Sequence, residues 1–485
     1  MTIFSKFHFT SLLFFIAYFF STQSQAQSLN LISAEELMKT DRFLAGKELA
    51  GRLPGSDGFL KAANYMAAQL SKCGLDPING KSYFQNFVVE YNEILPGEHF
   101  AIIKNNNRTE YVLGKDYIYR GFTGSGNFTA PVAFCGYGLS QPDLGYDDYA
   151  GIDVKGRVVM VYKYNPSWKL NEKTFTNGNP REKAIVAAKH GAIGILFISF
   201  PNDKDPQRPI GSVIHGDGEQ MLNFPEIHID LPLAAELYDG CGYTLQYIQA
   251  KIDSLKIPYS FNLNNRVDID VKTNYTKEKE VSNVCGILQG SDPKLRDEFI
   301  IIGAHLDHVG SQAGKVYFPG ANDNGSGSSA LLQIVRAITS LKPNPKRSIC
   351  FIFFACEEQG MNGSIYFANN LPFPKEKAST MINMDCVGYG DSIQVNGGDN
   401  FKDMWEKVKT IDRNNSRLLV SRSGGGGGAD AQPFFDKGIK TLYFVTTNSY
   451  AHLHQLSDLP ETLNQHLFES TTRLAFLTLL EFANE

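Results

Sequence analysis

Toward its C-terminal end the chain repeatedly runs through apolar residues, stops at a polar or charged one, and resumes with helical periodicity. Phe299 to Ala304, Ser348 to Ala355, Thr380 to Met384, Leu418 to Val420 and Thr441 to Val445 read as strands. Between and after them, Ser328 to Leu341, Ser364 to Asn369 and Leu467 to Phe482 read as helices. Apolar strands alternating with helices predict an α/β fold: a mixed, mostly parallel β-sheet flanked by helices.

The earlier part has a different texture. Ala34 to Leu37 opens a helical stretch, and Leu60 to Lys72 is an amphipathic helix stopped by Gly74. Short β-type runs follow from 81 to 135. Residues 151 to 200 form a β-α-β pattern, with strands at Gly156 to Tyr162 and Gly194 to Ile198 around a helix at Arg181 to His190. A polar stretch punctuated by Gly and Pro, 201 to 223, reads as a long loop, and ordered structure resumes at Ile227 to Leu231 and Ala234 to Leu237. Polar Asn274 to Lys279 reads as a junction. The expected organisation is therefore a leader at 1–26, a first part of the main domain at 27–119, an inserted smaller β-rich unit at 120–275, and the rest of the main domain at 276–485. No internal repeat is visible, and the glycine run Gly424 to Gly428 is a short flexible or close-approach loop, not a domain linker.

The leader rests on Lys6 and His8, the apolar run Leu12 to Phe20, and the small residues Ser24 and Ala26. That order is a signal peptide's, and the run falls short of the ~20 residues a membrane span requires. Export to the periplasm or medium, with cleavage near Ala26, is the expectation, and no later segment is apolar enough to span a membrane. A net charge of -5 and a pI near 6.1 give no basic face for nucleic acid. The 42% hydrophobic and 20% charged content of the 485 residues is that of a folded chain large enough for more than one core. Seven scattered cysteines make neither a disulfide framework nor a CxxC site, and Cys285, Cys350, Cys356 and Cys386 read as core.

Candidate chemistry collects where strands end, as sites do in open α/β sheets. The first strand delivers His305-Leu306-Asp307, the second Glu357-Glu358, and the third Asp385. Gly320 to Gly327 places Asp323 at a helix entrance, and His452-Leu453-His454 with Asp458 lies in a loop before the last helix. Each feature alone has an ordinary explanation: a surface ion pair, a solvated loop, a helix cap. Together, two imidazoles and three carboxylates make an oxygen-rich donor set suited to hydrolytic zinc. Two Zn²⁺, the three carboxylates Asp323, Glu358 and Asp385, and one hydroxide would balance in charge. Two such ions sharing a carboxylate sit ~3.5–4 Å apart.

These motifs, in this order, resemble the M28 family of co-catalytic zinc peptidases, and Gly51-Arg52-Leu53-Pro54-Gly55 resembles that family's opening segment. Residues 120 to 275 resemble a protease-associated (PA) domain through Gly156-Arg157-Val158-Val159 and Ala184 to Ile198. The resemblance implies an aminopeptidase acting on peptides with a free N-terminus and holding two Zn²⁺. It implies that Asp323 bridges both ions, that His305 and Asp385 complete one site, and that Glu358 and His454 complete the other. Glu357 would be the general base toward a water activated by both metals, and Asp307 would hold the His305 ring by a hydrogen bond. His454 is preferred over His452 because its spacing to Asp458 matches the motif. Ser423 to Asp430 resembles a pocket segment of the family, with Ala429 where Ser is usual, which makes Asp430 a pocket candidate. Alternatives within this resemblance are a carboxypeptidase for acidic dipeptides, a glutaminyl cyclase, and a non-catalytic binding protein. The first would require an arginine cluster near the motifs, and none is visible.

Overall fold

The computed structural model describes residues 28–485 except 79, 177, 448 and 449. The expected leader, 1–26, lies outside the described residues.

At the centre of an eight-stranded sheet, Ser348–Phe354, Phe299–His305, Ala378–Met384 and Lys440–Thr446 lie side by side and parallel. Antiparallel strands flank them: Thr273–Leu288 beside Ser348–Phe354, and Ile393–Asn396 beside Lys440–Thr446. The α/β architecture read from the apolar runs is therefore the observed one. Those runs lack alternation because both faces are covered. Ile300 and Ile302 pack with Leu331, Val335, Leu474 and Phe476 on one side, while Ile301 packs with Ile352, Phe367 and Phe434 on the other. Each fully buried Ile or Phe contributes roughly 1.5–3 kcal/mol of transfer free energy.

Helices Ala34–Leu44, Gly327–Thr339 and Gln465–Asn484 pack against one another over the first face. Asn362–Asn369 and Gln432–Asp436 cover the second. The helix Asp57–Lys72 starts where the Ser56 hydroxyl accepts the Phe59 N–H, so that side chain stands in for a missing helical acceptor. Among the described residues no helix is long and apolar enough to cross a membrane.

A second eight-stranded sheet runs, in order, through Asn107–Glu110, His99–Lys104, Ser260–Val271, Gly126–Cys135, Val158–Tyr162, Gly194–Ile198, Glu226–Ile229 and Tyr117–Tyr119. It has its own core of Phe134, Tyr162, Leu196, Ile227 and Val267. Its strands come from residues 99 to 271, so this unit takes in segments that precede residue 120.

Two local expectations differ from what is observed, and two helices were not expected. Asn274 to Lys279 is not a junction but part of the strand Thr273–Leu288, paired with Phe84–Ile94. It carries no apolar alternation because that end of the ribbon is largely solvated. Leu418 to Val420 makes only an isolated bridge, Leu419 to Ile393. Helices Leu245–Leu255 and Lys402–Arg413 were not anticipated; the second buries only Met404, Trp405, Val408 and Asp412. All seven cysteines are free thiols, with Cys285, Cys350 and Cys356 buried and Cys386 partly so.

Candidate metal centre

His305 is the last residue of the central strand, and Asp385 directly follows the neighbouring strand that ends at Met384. Parallel pairing brings those ends to one level. The loop before helix Gly327–Thr339 is then tied to the same level by its own polar side chains. Asn324 accepts the Gly327 N–H (2.8 Å) and donates to the Met384 carbonyl (3.0 Å). Asn322 accepts the Gly388 N–H at 2.9 Å, and the Ser326 hydroxyl accepts the Val387 N–H at 2.9 Å. From the far side, the buried Asp458 carboxylate accepts the N–H groups of Asn322 (2.7 Å) and Asp323 (3.2 Å). The main chain at Asp323 is thereby held by a side-chain carboxylate from a loop well over a hundred residues away.

The two carboxylate oxygens of Asp323 face different partners. Oδ1 lies 3.4 Å from His305 Nε2, which is also 3.4 Å from Asp385 Oδ1. Oδ2 lies 3.2 Å from His454 Nε2, which is 3.0 Å from Glu358 Oε2. The separations on the His305 side are long for hydrogen bonds to a carboxylate. A tetrahedral ion with ligand distances of about 2.0–2.1 Å places its ligand atoms about 3.3–3.4 Å apart, the spacing of these pairs. On the His305 side the donor chemistry, spacing and burial fit an ion; His308, Asp323, Glu358 and His454 form a second group of the same donor chemistry, though its His454 pairs, at 3.2 and 3.0 Å, are at hydrogen-bond distance.

His305, Asp323, Glu358, Asp385 and His454 are thus all brought together, and His452 is not; its Nδ1 pairs with the Ser457 hydroxyl at 2.9 Å on the exposed side of the loop. Glu357 is adjacent, its Oε2 3.9 Å from His305 Nε2. Asp307 does something other than expected. The His305 Nδ1 faces the main-chain carbonyl of Asp307 at 3.2 Å, while its carboxylate oxygen is 3.9 Å away. The Asp307 carboxylate instead accepts the N–H groups of Glu357 (3.2 Å) and Glu358 (3.3 Å), because the chain turns sharply there and exposes them. Asp307 therefore orients the Glu-Glu pair, and the backbone orients the imidazole.

Sequence reasoning passed over His308. It is fully buried, and its Nδ1 is 2.9 Å from Glu358 Oε1. The available signal was its place in His305-Leu306-Asp307-His308, a second imidazole at the end of a strand already carrying one. Arg52, also fully buried, lies beneath the site and donates to the carbonyls of Leu44, Leu306, Pro319 and Gly320.

Electrostatics follow from crowding carboxylates and imidazoles out of water. Burial pushes Glu357 well above the usual carboxylate range, and Asp430 and Glu358 add to it against the opposing His305. Burial also acts to raise Glu358, but His454 and His308 outweigh it and hold it well below its ordinary value. Burial opposes charging of His305, yet Glu357, Asp385 and Asp323 keep the ring well above its usual range. Asp307 is raised to about 6 and Asp430, fully buried, to about 7, burial being the main cause in both. The second sheet's long loop reaches this centre: the Gly211 N–H donates to the His454 carbonyl at 2.9 Å, and Val213 packs with Val309 and Phe318.

Residues 283–479 match the family described as Peptidase family M28. The chain is 27% identical over 345 residues to aminopeptidase YwaD of Bacillus subtilis, covering 68% of this chain and 62% of that protein. It is 24% identical over 364 residues to an aminopeptidase of Pseudomonas aeruginosa, covering 72% and 57%. The matched stretch thus spans about three-fifths of these relatives' own lengths. Among solved structures it resembles BSAP, a zinc aminopeptidase from Bacillus subtilis, with a TM-score of 0.62 at 19% identity over 94% of this chain and 96% of that one.

Proposed function

We propose that this chain, whose residues 283–479 match peptidase family M28, is an exported aminopeptidase that releases N-terminal residues from peptides and holds two zinc ions. His305, Asp323 and Asp385 would hold one ion, and Asp323, Glu358 and His454 the other. The ions would supply Lewis acidity to the scissile carbonyl and to the attacking water. The observation that carries this reading is the division of Asp323, with one oxygen facing His305 and the other His454.

Glu357 is the general base in this reading. It takes a proton from the attacking water and delivers it to the leaving amine. Its environment suits the task, since burial raises its proton affinity and its Oε2 lies only 3.9 Å from the His305 ring of the ion site. Asp307 fixes the Glu357 and Glu358 backbone, and Asp458 fixes Asp323. The unit built from residues 99 to 271 is read as PA-like; support comes from its β-α-β core and from Gly211 touching the His454 loop.

The test is a panel of amino-acid anilides with free and blocked N-termini, assayed with zinc and with chelator. Free anilides turn over, blocked ones do not, and chelator abolishes activity. Glu357→Gln lowers kcat by roughly 10²–10⁴-fold, the usual worth of a positioned base, while zinc content is unchanged. Equal cleavage of blocked substrates would exclude an aminopeptidase.

A further inference from the structure

We propose that His308 is a positioning residue that decides which oxygen of Glu358 faces the ion site. This rests on the two-ion reading above. The two oxygens of Glu358 have separate partners. Oε2 lies 3.0 Å from His454 Nε2, inside the group formed with Asp323, whereas Oε1 lies 2.9 Å from His308 Nδ1. An ionised carboxylate only accepts, so His308 Nδ1 carries the hydrogen and donates it to Oε1. His308 Nδ1 is 3.9 Å from Asp323 Oδ2, too far for a hydrogen bond, so its polar contact is specific to Glu358.

The ring is held in place from several directions. The His308 main-chain N–H, at the base of the ring, donates to the Arg52 carbonyl at 3.2 Å. A Cβ added at Gly320 would come within 2.5 Å of His308 Cδ2, so the imidazole lies directly on bare backbone at a position with φ of +61°. The His308 and His454 rings meet edge to face, with centroids 5.4 Å apart. An imidazole packed against Gly320 and the His454 ring resists following Glu358 if the carboxylate rotates. It therefore pins Oε1 and leaves Oε2 toward Asp323 and His454. A group that orients a metal-binding carboxylate is commonly worth 10–100-fold in metal affinity.

The geometry also allows a competing role. His308, Asp323, Glu358 and His454 offer ligand atoms that all lie within 4.8 Å of one another, so His308 could itself bind the ion. The two roles separate in experiment. Zinc affinities of the full-length wild-type protein, His308→Phe and His308→Gln are measured by competition with a chromophoric chelator, and the Co²⁺-loaded forms are compared by visible absorption. Phe keeps a flat ring without the donor, and Gln restores an N–H.

The wild type binds two ions. In His308→Phe one is weakened 10–100-fold and the other is unchanged, and Gln recovers most of the loss. At saturating Co²⁺ all three proteins give the same band pattern, because no ligand has been removed. Two ions bound by His308→Phe as tightly as by wild type would overturn the proposal. So would an altered Co²⁺ spectrum, which would make His308 a ligand. If His308→Phe does not fold, as judged by near-ultraviolet circular dichroism, His308→Ala carries the same expectations. A wild-type chain that fails to hold two ions would instead sink the reading on which this one rests.

Discussion

Replacing Arg52 by Met removes a buried guanidinium that joins three separate segments. Its hydrogen bonds run to Leu44 at the end of the first helix (2.6 Å), to Leu306 inside the His-Leu-Asp-His segment (2.8 Å), and to Pro319 and Gly320 just before the Asp323 loop (both 2.8 Å). Each lost donor leaves a buried carbonyl unsatisfied, a cost of about 1–3 kcal/mol per group before relaxation. Buried Asp41 also loses a nearby positive charge. Some carbonyls will find water, so a net loss of about 4 kcal/mol is expected, in the range typical for breaking a buried charged network. For a chain of this size roughly 2 °C per kcal/mol converts that to a melting temperature about 8 °C lower. Thermal unfolding of metal-free wild type and Arg52→Met, followed by circular dichroism, measures it. Arg52→Lys should lose most of the same stability, since one ammonium cannot reach three segments as a planar fork does. A decrease under about 2 °C for Met, or a Lys variant as stable as wild type, would show that these hydrogen bonds contribute little to stability.

Two further outcomes follow from contacts away from the acidic cluster. A Cβ at Gly211 would lie 2.6 Å from Val309 Cγ2 and 2.9 Å from Phe318 Cε1, so Gly211→Val should displace the loop that bonds His454 and lower kcat/KM at least several-fold; unchanged kinetics would contradict that. Lys163 is buried with its Nζ 2.6 Å from Gln207 Oε1, and burial, helped by Arg120, pushes it from its ordinary 10.5 down to about 6. Between those values the unfolded chain binds a proton that the folded one does not, so the penalty grows as pH falls from about 10.5 toward 6 and is constant below. Urea midpoints at pH 6.5, 8 and 9.5 should therefore rise with pH from this group, and Lys163→Met should flatten the rise; an identical slope in the variant would show that Lys163 is not the source.

Much of the main sheet was legible because its strands are buried on both faces and end in polar residues. Phe299–His305 and Ala378–Met384 each finish where a candidate ligand stands, and apolar runs locate such ends well. His454 could be chosen over His452 only by motif spacing, and the structure distinguishes them by direction: one ring enters the cluster and the other turns out to Ser457. His308 was not legible, because its partner Glu358 lies fifty residues on and no periodicity links them. Which oxygen of Asp307 faces His305 was not legible, since sequence cannot tell a side-chain acceptor from the carbonyl of the same residue. The polar end of Thr273–Leu288 and the largely exposed helix Lys402–Arg413 were missed for a related reason. Elements that bury few side chains leave little apolar pattern to read.

In the proposed function, Asp323 is shared between two cations. Anomalous diffraction collected at the zinc edge from crystals grown with zinc tests it directly. Two peaks about 3.5–4 Å apart are predicted, one against His305 and Asp385 and the other against Glu358 and His454, with Asp323 touching both. A single peak, or zinc bound only elsewhere on the chain, would contradict it.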